Sequence, residues 1–245
     1  MRYDFSSYNV IVTGGTRGIG RAIVECFLLN GAKVAATYAG NDTNATEFLH
    51  AWQDYPLKLY KFDVADYEQA ENFFQEFDRD FPSLQVLINN AGIRRDSIVG
   101  MMPADAWEAV LSVNLSGTFN MSKLAVMRMG PSRFGRIISI TSASGRLGIE
   151  GQANYAASKA GQEALTRSLC KEVGKRKITV NCVSPGFIET DLIADLPEEQ
   201  LREYKAQVPL KRFGSPLEVA NVVTFLASDD ASYITGSTID VTGGL

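Results

Sequence analysis

The order of apolar runs in this 245-residue chain predicts a three-layer α/β fold, a seven-stranded, mostly parallel sheet with helices on both faces. Three observations carry that expectation. Short runs rich in Val, Ile and Thr alternate with longer stretches of helical periodicity, the mark of repeated βαβ units. Several of these runs, such as Val86-Leu87-Ile88 and Ile137-Ile138-Ser139-Ile140, are apolar almost throughout, as strands covered on both faces must be. A glycine cluster, Gly14, Gly15, Gly18 and Gly20, falls where the first such run gives way to the first helical pattern.

The strands expected in order are Asn9 to Thr13, Lys33 to Thr37, Lys58 to Phe62, Gln85 to Ile88, Arg136 to Thr141, Ile178 to Val183 and Ser237 to Val241. Between them, apolar residues recur at helical spacing, as in Ala22, Ile23, Cys26, Phe27 and Leu28, and again in Ala70, Phe73, Phe74 and Phe77. These are crossover helices. One long region without a clear strand, Glu189 to Gly214, carries Pro197 and Pro209 around a charged helical piece and reads as a substrate lid. Its Asp195, Glu198, Glu199 and Glu203 form a solvated helical face following a proline. Without a repeat or a linker-like stretch, residues 1–245 read as a single domain.

A net charge of -4 with both signs scattered leaves no basic footprint for nucleic acid or an anionic membrane. The first residues lack a signal-peptide core and no apolar run approaches the ~18 residues of a membrane span, so the expectation is a soluble, cytoplasmic protein. Cys26, Cys170 and Cys182 are odd in number and far apart, and His50 stands alone in a polar helical pattern. Neither a disulfide framework nor a metal site is expected.

The strand-to-helix turn Thr13-Gly14-Gly15-Thr16-Arg17-Gly18-Ile19-Gly20 places flexible backbone and free amides at the positive end of a helix, where a pyrophosphate can approach. Its spacing, Gly14-x3-Gly18-x-Gly20, differs from the GxGxxG fingerprint. The end of the second strand, Ala36-Thr37-Tyr38-Ala39-Gly40, offers no carboxylate to a ribose hydroxyl until Asp42. Arg17 could instead meet a 2′-phosphate, with Thr37 or Asn41 adding hydrogen bonds. The expected cofactor is NADP(H).

Further on, Tyr155 and Lys159 stand four apart in a helical pattern and share one face. A cation near a phenol favours the phenolate, which would make Tyr155 a usable proton donor and acceptor. Ser142 follows a strand end, where parallel sheets bind ligands, and its hydroxyl could orient a carbonyl.

These residues together resemble the short-chain dehydrogenase/reductase family over essentially the whole chain. The family's TGxxxGxG turn matches Thr13 to Gly20, its NNAG segment matches Asn89-Asn90-Ala91-Gly92, and its Asn-Ser-Tyr-Lys tetrad matches Asn114, Ser142, Tyr155 and Lys159. Within it the chain is most similar to bacterial β-ketoacyl-acyl-carrier-protein reductases, through Asn90 to Asp96, Gly151-Gln152-Ala153-Asn154-Tyr155, and Ser184-Pro185-Gly186-Phe187-Ile188-Glu189-Thr190-Asp191. Two departures, Gly15-Thr16 for the usual Ala-Ser and Arg94 for the usual Thr, remove no catalytic atom.

The resemblance implies a Rossmann-like fold in which Asp63 and Val64 contact adenine and Asn90, with Ala91 and Gly92, lies along the cofactor. Tyr155 would protonate the carbonyl oxygen as hydride leaves the nicotinamide, while Ser142 holds that oxygen. Lys159 would bind the nicotinamide ribose, lower the tyrosine pKa and pass protons through a water held by Asn114. Ile188 and Thr190, after Pro185-Gly186, would fix the carboxamide. It further implies a homotetramer, from Gly236, Gly243 and Gly244, and docking of an acidic acyl carrier protein on Arg133 and Arg176 near the site's mouth. The activity implied is reduction of a 3-oxoacyl thioester in fatty-acid elongation. An acetoacetyl-CoA reductase, another short-chain alcohol dehydrogenase and a catalytically silent NADP-binding regulator are the alternatives.

Overall fold

A computed structural model describes residues 3–190 and 197–245. Seven strands, β1 (Asn9–Val12), β2 (Lys33–Tyr38), β3 (Leu57–Lys61), β4 (Val86–Asn89), β5 (Gly135–Ile140), β6 (Ile178–Pro185) and β7 (Thr238–Val241), form one sheet in the order β3-β2-β1-β4-β5-β6-β7. Every neighbouring pair is parallel, so the expected sheet is present and is parallel throughout. Strand limits differ from the sequence expectation by a residue or two, most at β6, which continues to Pro185 because Ser184 and Pro185 still pair with β7.

Alternation along each strand builds two cores. Val10 and Val12 of β1, Val86 and Ile88 of β4, and Ile138 and Ile140 of β5 face one side. There they meet α1 (Gly18–Leu29), α2 (Asp42–Ala51) and α9 (Pro216–Ala227) through Ile23, Phe27, Phe48, Val219 and Val223. Ile11, Leu87 and Ile137 face the other side, against α3 (Tyr67–Asp80), α5 (Gly117–Ser132) and α7 (Ala153–Val173). Phe73, Phe74 and Phe77 of α3, expected from their spacing to form an apolar face, lie in this second core. The remaining α-helices among the described residues are α4 (Ala104–Leu111), the single turn α6 (Ser144–Leu147) and α8 (Glu198–Gln207).

The chain winds outward from β1 to β3, then returns to place β4 on the other side of β1. Between β1 and β4 the loops leave in opposite directions, which opens a crevice at the carboxyl ends of the strands. The glycine turn follows β1, Asn90 follows β4, Ser142 follows β5 and Gly186 follows β6, so these four segments share that edge. His50 is exposed in the last turn of α2, and the three cysteines are free thiols. Among the described residues no helix is long and apolar enough to cross a membrane.

Candidate active site

Thr13, buried at the end of β1, joins the glycine turn to the segment after β4. Its hydroxyl donates to the Ile88 carbonyl at 3.3 Å and accepts the amides of Asn90 at 2.9 Å and Ala91 at 3.0 Å. The Asn90 side chain closes the knot by donating to the carbonyls of Thr13 (2.9 Å) and Gly14 (3.0 Å). Space here is so tight that a Cβ at Gly20 would stand 2.1 Å from the Gly14 carbonyl oxygen. Gly14 itself has φ +63°. Gly18, also at positive φ, faces Thr190, so the turn and the segment after β6 flank the crevice.

The helix that follows is open to an anion. α1 starts with no side-chain cap and no acidic residue in its first turn, and the amides of Gly18, Ile19 and Gly20 have no protein acceptor among the described residues. Such amides and the helix dipole favour a bound phosphate. Arg17, just before the helix, is exposed and makes no ion pair among the described residues, while Thr16 beside it is buried. The residues present therefore fit a pyrophosphate-bearing nucleotide.

Around the second strand end, Thr37 and Asn41 both support the local frame. Thr37 is 1% exposed, and what it offers the turn is its carbonyl, which accepts the Gly15 amide at 2.9 Å. Asn41 caps α2, its side chain accepting the Asn44 amide at 3.0 Å. Asp42, the nearest carboxylate, is held by Lys61 at 2.7 Å. Arg17 is thus the one cation of the turn left for a phosphate. After β3, the exposed Asp63 accepts the Ala65 amide at 2.9 Å, and Val64 packs against Gly117 with its carbonyl taken by Asn120 at 3.0 Å.

Across the crevice, Asn114, Ser142, Tyr155 and Lys159 converge. Asn114 is wholly buried in a π-helical turn, Ser112–Ser116, between α4 and α5. Wider turns of this kind free a carbonyl from the helix. Here the Asn114 carbonyl accepts from Thr118 (2.7 Å) and Gln162 (2.8 Å), while its side chain grips Ile93 through both amide and carbonyl, at 2.8 and 3.1 Å. The same side chain donates to Ser158 at 3.0 Å, and Ser158 donates to the Tyr155 carbonyl at 2.7 Å. Sequence reasoning assigned no role to Ser158, although its position between Tyr155 and Lys159 on one helix made it available. Ser142 accepts the Ser144 amide at 3.2 Å and shares a hydrogen bond with the Ser144 hydroxyl.

Lys159 is 3% exposed and donates to the Ile140 carbonyl at the end of β5, at 2.7 Å. Burial of its ammonium lowers its pKa to about 8. Burial also raises Tyr155 above the ordinary phenol value, hydrogen bonding with Ser142 and the nearby Arg94 guanidinium pull it back, and Asp96 pushes it up. The phenol is therefore protonated at neutral pH and able to donate. Lys159 is not among the groups that shift the phenol here. The ammonium sits 5.5 Å from the ring centroid, engaged by the Ile140 carbonyl rather than by the phenolic oxygen.

Beyond the tetrad, Gly186 after β6 donates its amide to Val241 at 3.0 Å, and Ile188 pairs with Gly214 to close the base of the expected lid. Helix α8 lies within that segment, with Tyr204 stacked on Phe187 at 4.6 Å. Of the expected lid, residues 191–196 lie outside the described residues, including Asp191 and Asp195.

Arg133 and Arg176 are brought together, but elsewhere. Arg133 donates to the Lys175 carbonyl at 2.9 Å, and Arg176 lies across Gly130. Both precede strands, β5 and β6, so they occupy the amino edge of the sheet, the length of a six-residue strand or roughly 20 Å from the tetrad. The expectation of a docking pair at the mouth of the same chain's site does not hold, because the loop before a parallel strand cannot share an edge with the loop after it.

A nucleotide crevice flanked by a buried lysine and a protonated tyrosine defines a class of protein, and comparison with known sequences agrees. Residues 14–245 match the family model described as enoyl-(acyl carrier protein) reductase. The chain is 44% identical over 235 residues to an acetoacetyl-CoA reductase of Shinella zoogloeoides, covering 96% of both chains. It is 44% identical over 244 residues to the 3-oxoacyl-acyl-carrier-protein reductase of Salmonella typhimurium and 42% identical over 242 residues to that of Escherichia coli, covering 99% of this chain and 98% of each relative. The chain belongs to the short-chain dehydrogenase/reductase family. It is a nicotinamide-dependent oxidoreductase.

Proposed function

We propose that this enzyme uses NADPH to reduce the keto group of a 3-oxoacyl thioester to the 3-hydroxyacyl thioester, with the acyl group borne by an acyl carrier protein during cytoplasmic fatty-acid elongation. The observation that carries the reading is the protonated Tyr155 hydroxyl beside Ser142, at the crevice whose other wall is the glycine turn. The nicotinamide cofactor supplies hydride when bound. Ser142 then holds the substrate's keto oxygen while Tyr155 donates its proton to the alkoxide that forms there. Lys159, kept close by Ile140, offers its ammonium to a ribose hydroxyl and supports the charge left on Tyr155. Asp63 and Val64 would receive the adenine, Asn90 to Gly92 the length of the cofactor, and Pro185, Gly186, Ile188 and Thr190 the carboxamide end.

Cofactor choice rests on Arg17 with no competing carboxylate, since Asp42 is bound to Lys61. One charge-assisted contact is worth ~1.5 to 3 kcal/mol, so NADPH should exceed NADH by roughly tenfold or more in kcat/KM. Arg17→Ala should erase most of that preference by weakening NADPH alone. Steady-state kinetics with both cofactors checks this, and equal efficiencies in the parent enzyme would refute it.

The carrier is the finer question, because the relatives named above act on both kinds of thioester at the same identity. From the amino edge, Arg133 and Arg176 could serve a carrier protein bound at the catalytic site of a neighbouring copy in a homotetramer. Acetoacetyl-carrier protein and acetoacetyl-CoA should be compared with the parent and with Arg133→Glu, Arg176→Glu. Higher efficiency on the carrier, falling with salt and on charge reversal, is the expected result. Equal or better reduction of the CoA thioester, unchanged by charge reversal, would favour the acetoacetyl-CoA reading instead.

A further inference from the structure

Asn154, the residue before Tyr155, has no part in the chemistry above, yet it is 0% exposed and uses both ends of its amide. Its Nδ2 donates to the carbonyls of Arg95 (2.9 Å) and Ala106 (3.3 Å), and its Oδ1 accepts the Tyr155 amide at 2.7 Å. One buried side chain thus joins the loop after β4, the helix α4 and the first turn of α7. Around it the same two segments meet again. Gln152 donates to Asp96 at 3.2 Å, the Ser97 amide donates to Gly151 at 2.8 Å, and Asp96 pairs with Arg94.

Position makes this brace matter. α7 begins at Ala153, and Gln152 before it makes no side-chain cap hydrogen bond, so Tyr155 rides on a helix end whose amides lack intrahelical partners. Uncapped first turns fray. The Asn154 amide supplies what a cap would, and it does so from a residue anchored to two other elements. Rates fall steeply when a proton donor drifts from its acceptor, about a hundredfold for a displacement near 1 Å.

We propose that Asn154 is a positioning residue for Tyr155: it fixes the first turn of α7 to the Ile93–Ser97 loop and to α4, so that the phenol stands at one place before substrate arrives. This rests on the reading of Tyr155 as the acid, and its test separates the two. In the enzyme with NADPH and acetoacetyl-CoA, which serves as an assay substrate under either carrier reading, Asn154→Ala should lower kcat about tenfold to a hundredfold. The KM for the thioester and the Kd for NADPH should stay within about threefold, since those contacts are made by other residues. The decisive comparison repeats Asn154→Ala in the Tyr155→Phe background, where no phenol is left to position. There the residual rate should fall by less than about threefold, the non-additivity expected of residues acting through one group.

Asn154→Ser, which retains one donor, should lie between parent and Ala, and replaces Ala in the same comparison should that variant not fold. Equal losses in both backgrounds, a raised KM with unchanged kcat, or failure of both variants to fold would make Asn154 a merely structural residue and overturn the proposal. If Tyr155→Phe itself keeps near-normal turnover, it is the acid assignment that fails instead.

Discussion

Tyr155→Phe is expected to lower turnover about a hundredfold or more, the usual scale for loss of a positioned proton donor. The ring, its stacking volume and the amide held by Asn154 all survive the change, so only the hydroxyl is removed. NADPH affinity should therefore stay within about threefold of the parent, since the turn proposed to bind its phosphates is built by other elements. Rapid-mixing turnover and a fluorescence titration of NADPH measure the two effects. A Phe variant with near-normal turnover would mean that the proton comes from elsewhere, and Ser142 would be the next group to test.

Lys159→Met should separate activity from stability. Its ammonium is buried and its pKa lies at about 8, below the ordinary 10.5 of a lysine. The unfolded chain therefore holds this proton more tightly than the folded one. The penalty is fully present below about pH 8, shrinks as pH rises, and is gone above the unfolded value. A Met side chain of similar length avoids it and forfeits one hydrogen bond to Ile140. At pH 7 the variant should melt at the same temperature as the parent or higher, with any advantage shrinking towards pH 10. Turnover should nevertheless fall about a hundredfold, with weaker NADPH binding, because the ammonium proposed to hold the nicotinamide ribose and to support the charge left on Tyr155 is gone. A melting temperature several degrees lower at pH 7 would show that the ammonium stabilises the fold, against this account.

Most of the fold was legible because strands covered on both faces write themselves as apolar runs and their crossover helices as periodic ones. The glycine turn was legible because its backbone demands glycine: Gly20 approaches the Gly14 carbonyl too closely for any side chain, and Gly14 takes a positive φ. What escaped were features that depend on who meets whom in space. Arg133 and Arg176 read as guardians of the mouth because resemblance carries residues but not the edge of the sheet on which they stand. The π-helical turn at Asn114 has no signal in a periodicity of 3.6. The tyrosine's protonation state depended on burial and on Ser142, Arg94 and Asp96, three groups that no spacing from Tyr155 announces.

Tyr155 and Ser142 are expected to act on a carbonyl oxygen, and the product the enzyme makes with NADPH shows directly whether they do. A 3-oxoacyl thioester and a 2-enoyl thioester on the same carrier should be offered separately at equal concentration, with NADPH consumption followed and products separated by mass. One 3-hydroxyacyl thioester should form per NADPH from the first, and no saturated thioester from the second. Reduction of the enoyl double bond in preference to the keto group, or NADPH binding with neither thioester consumed, would contradict this expectation.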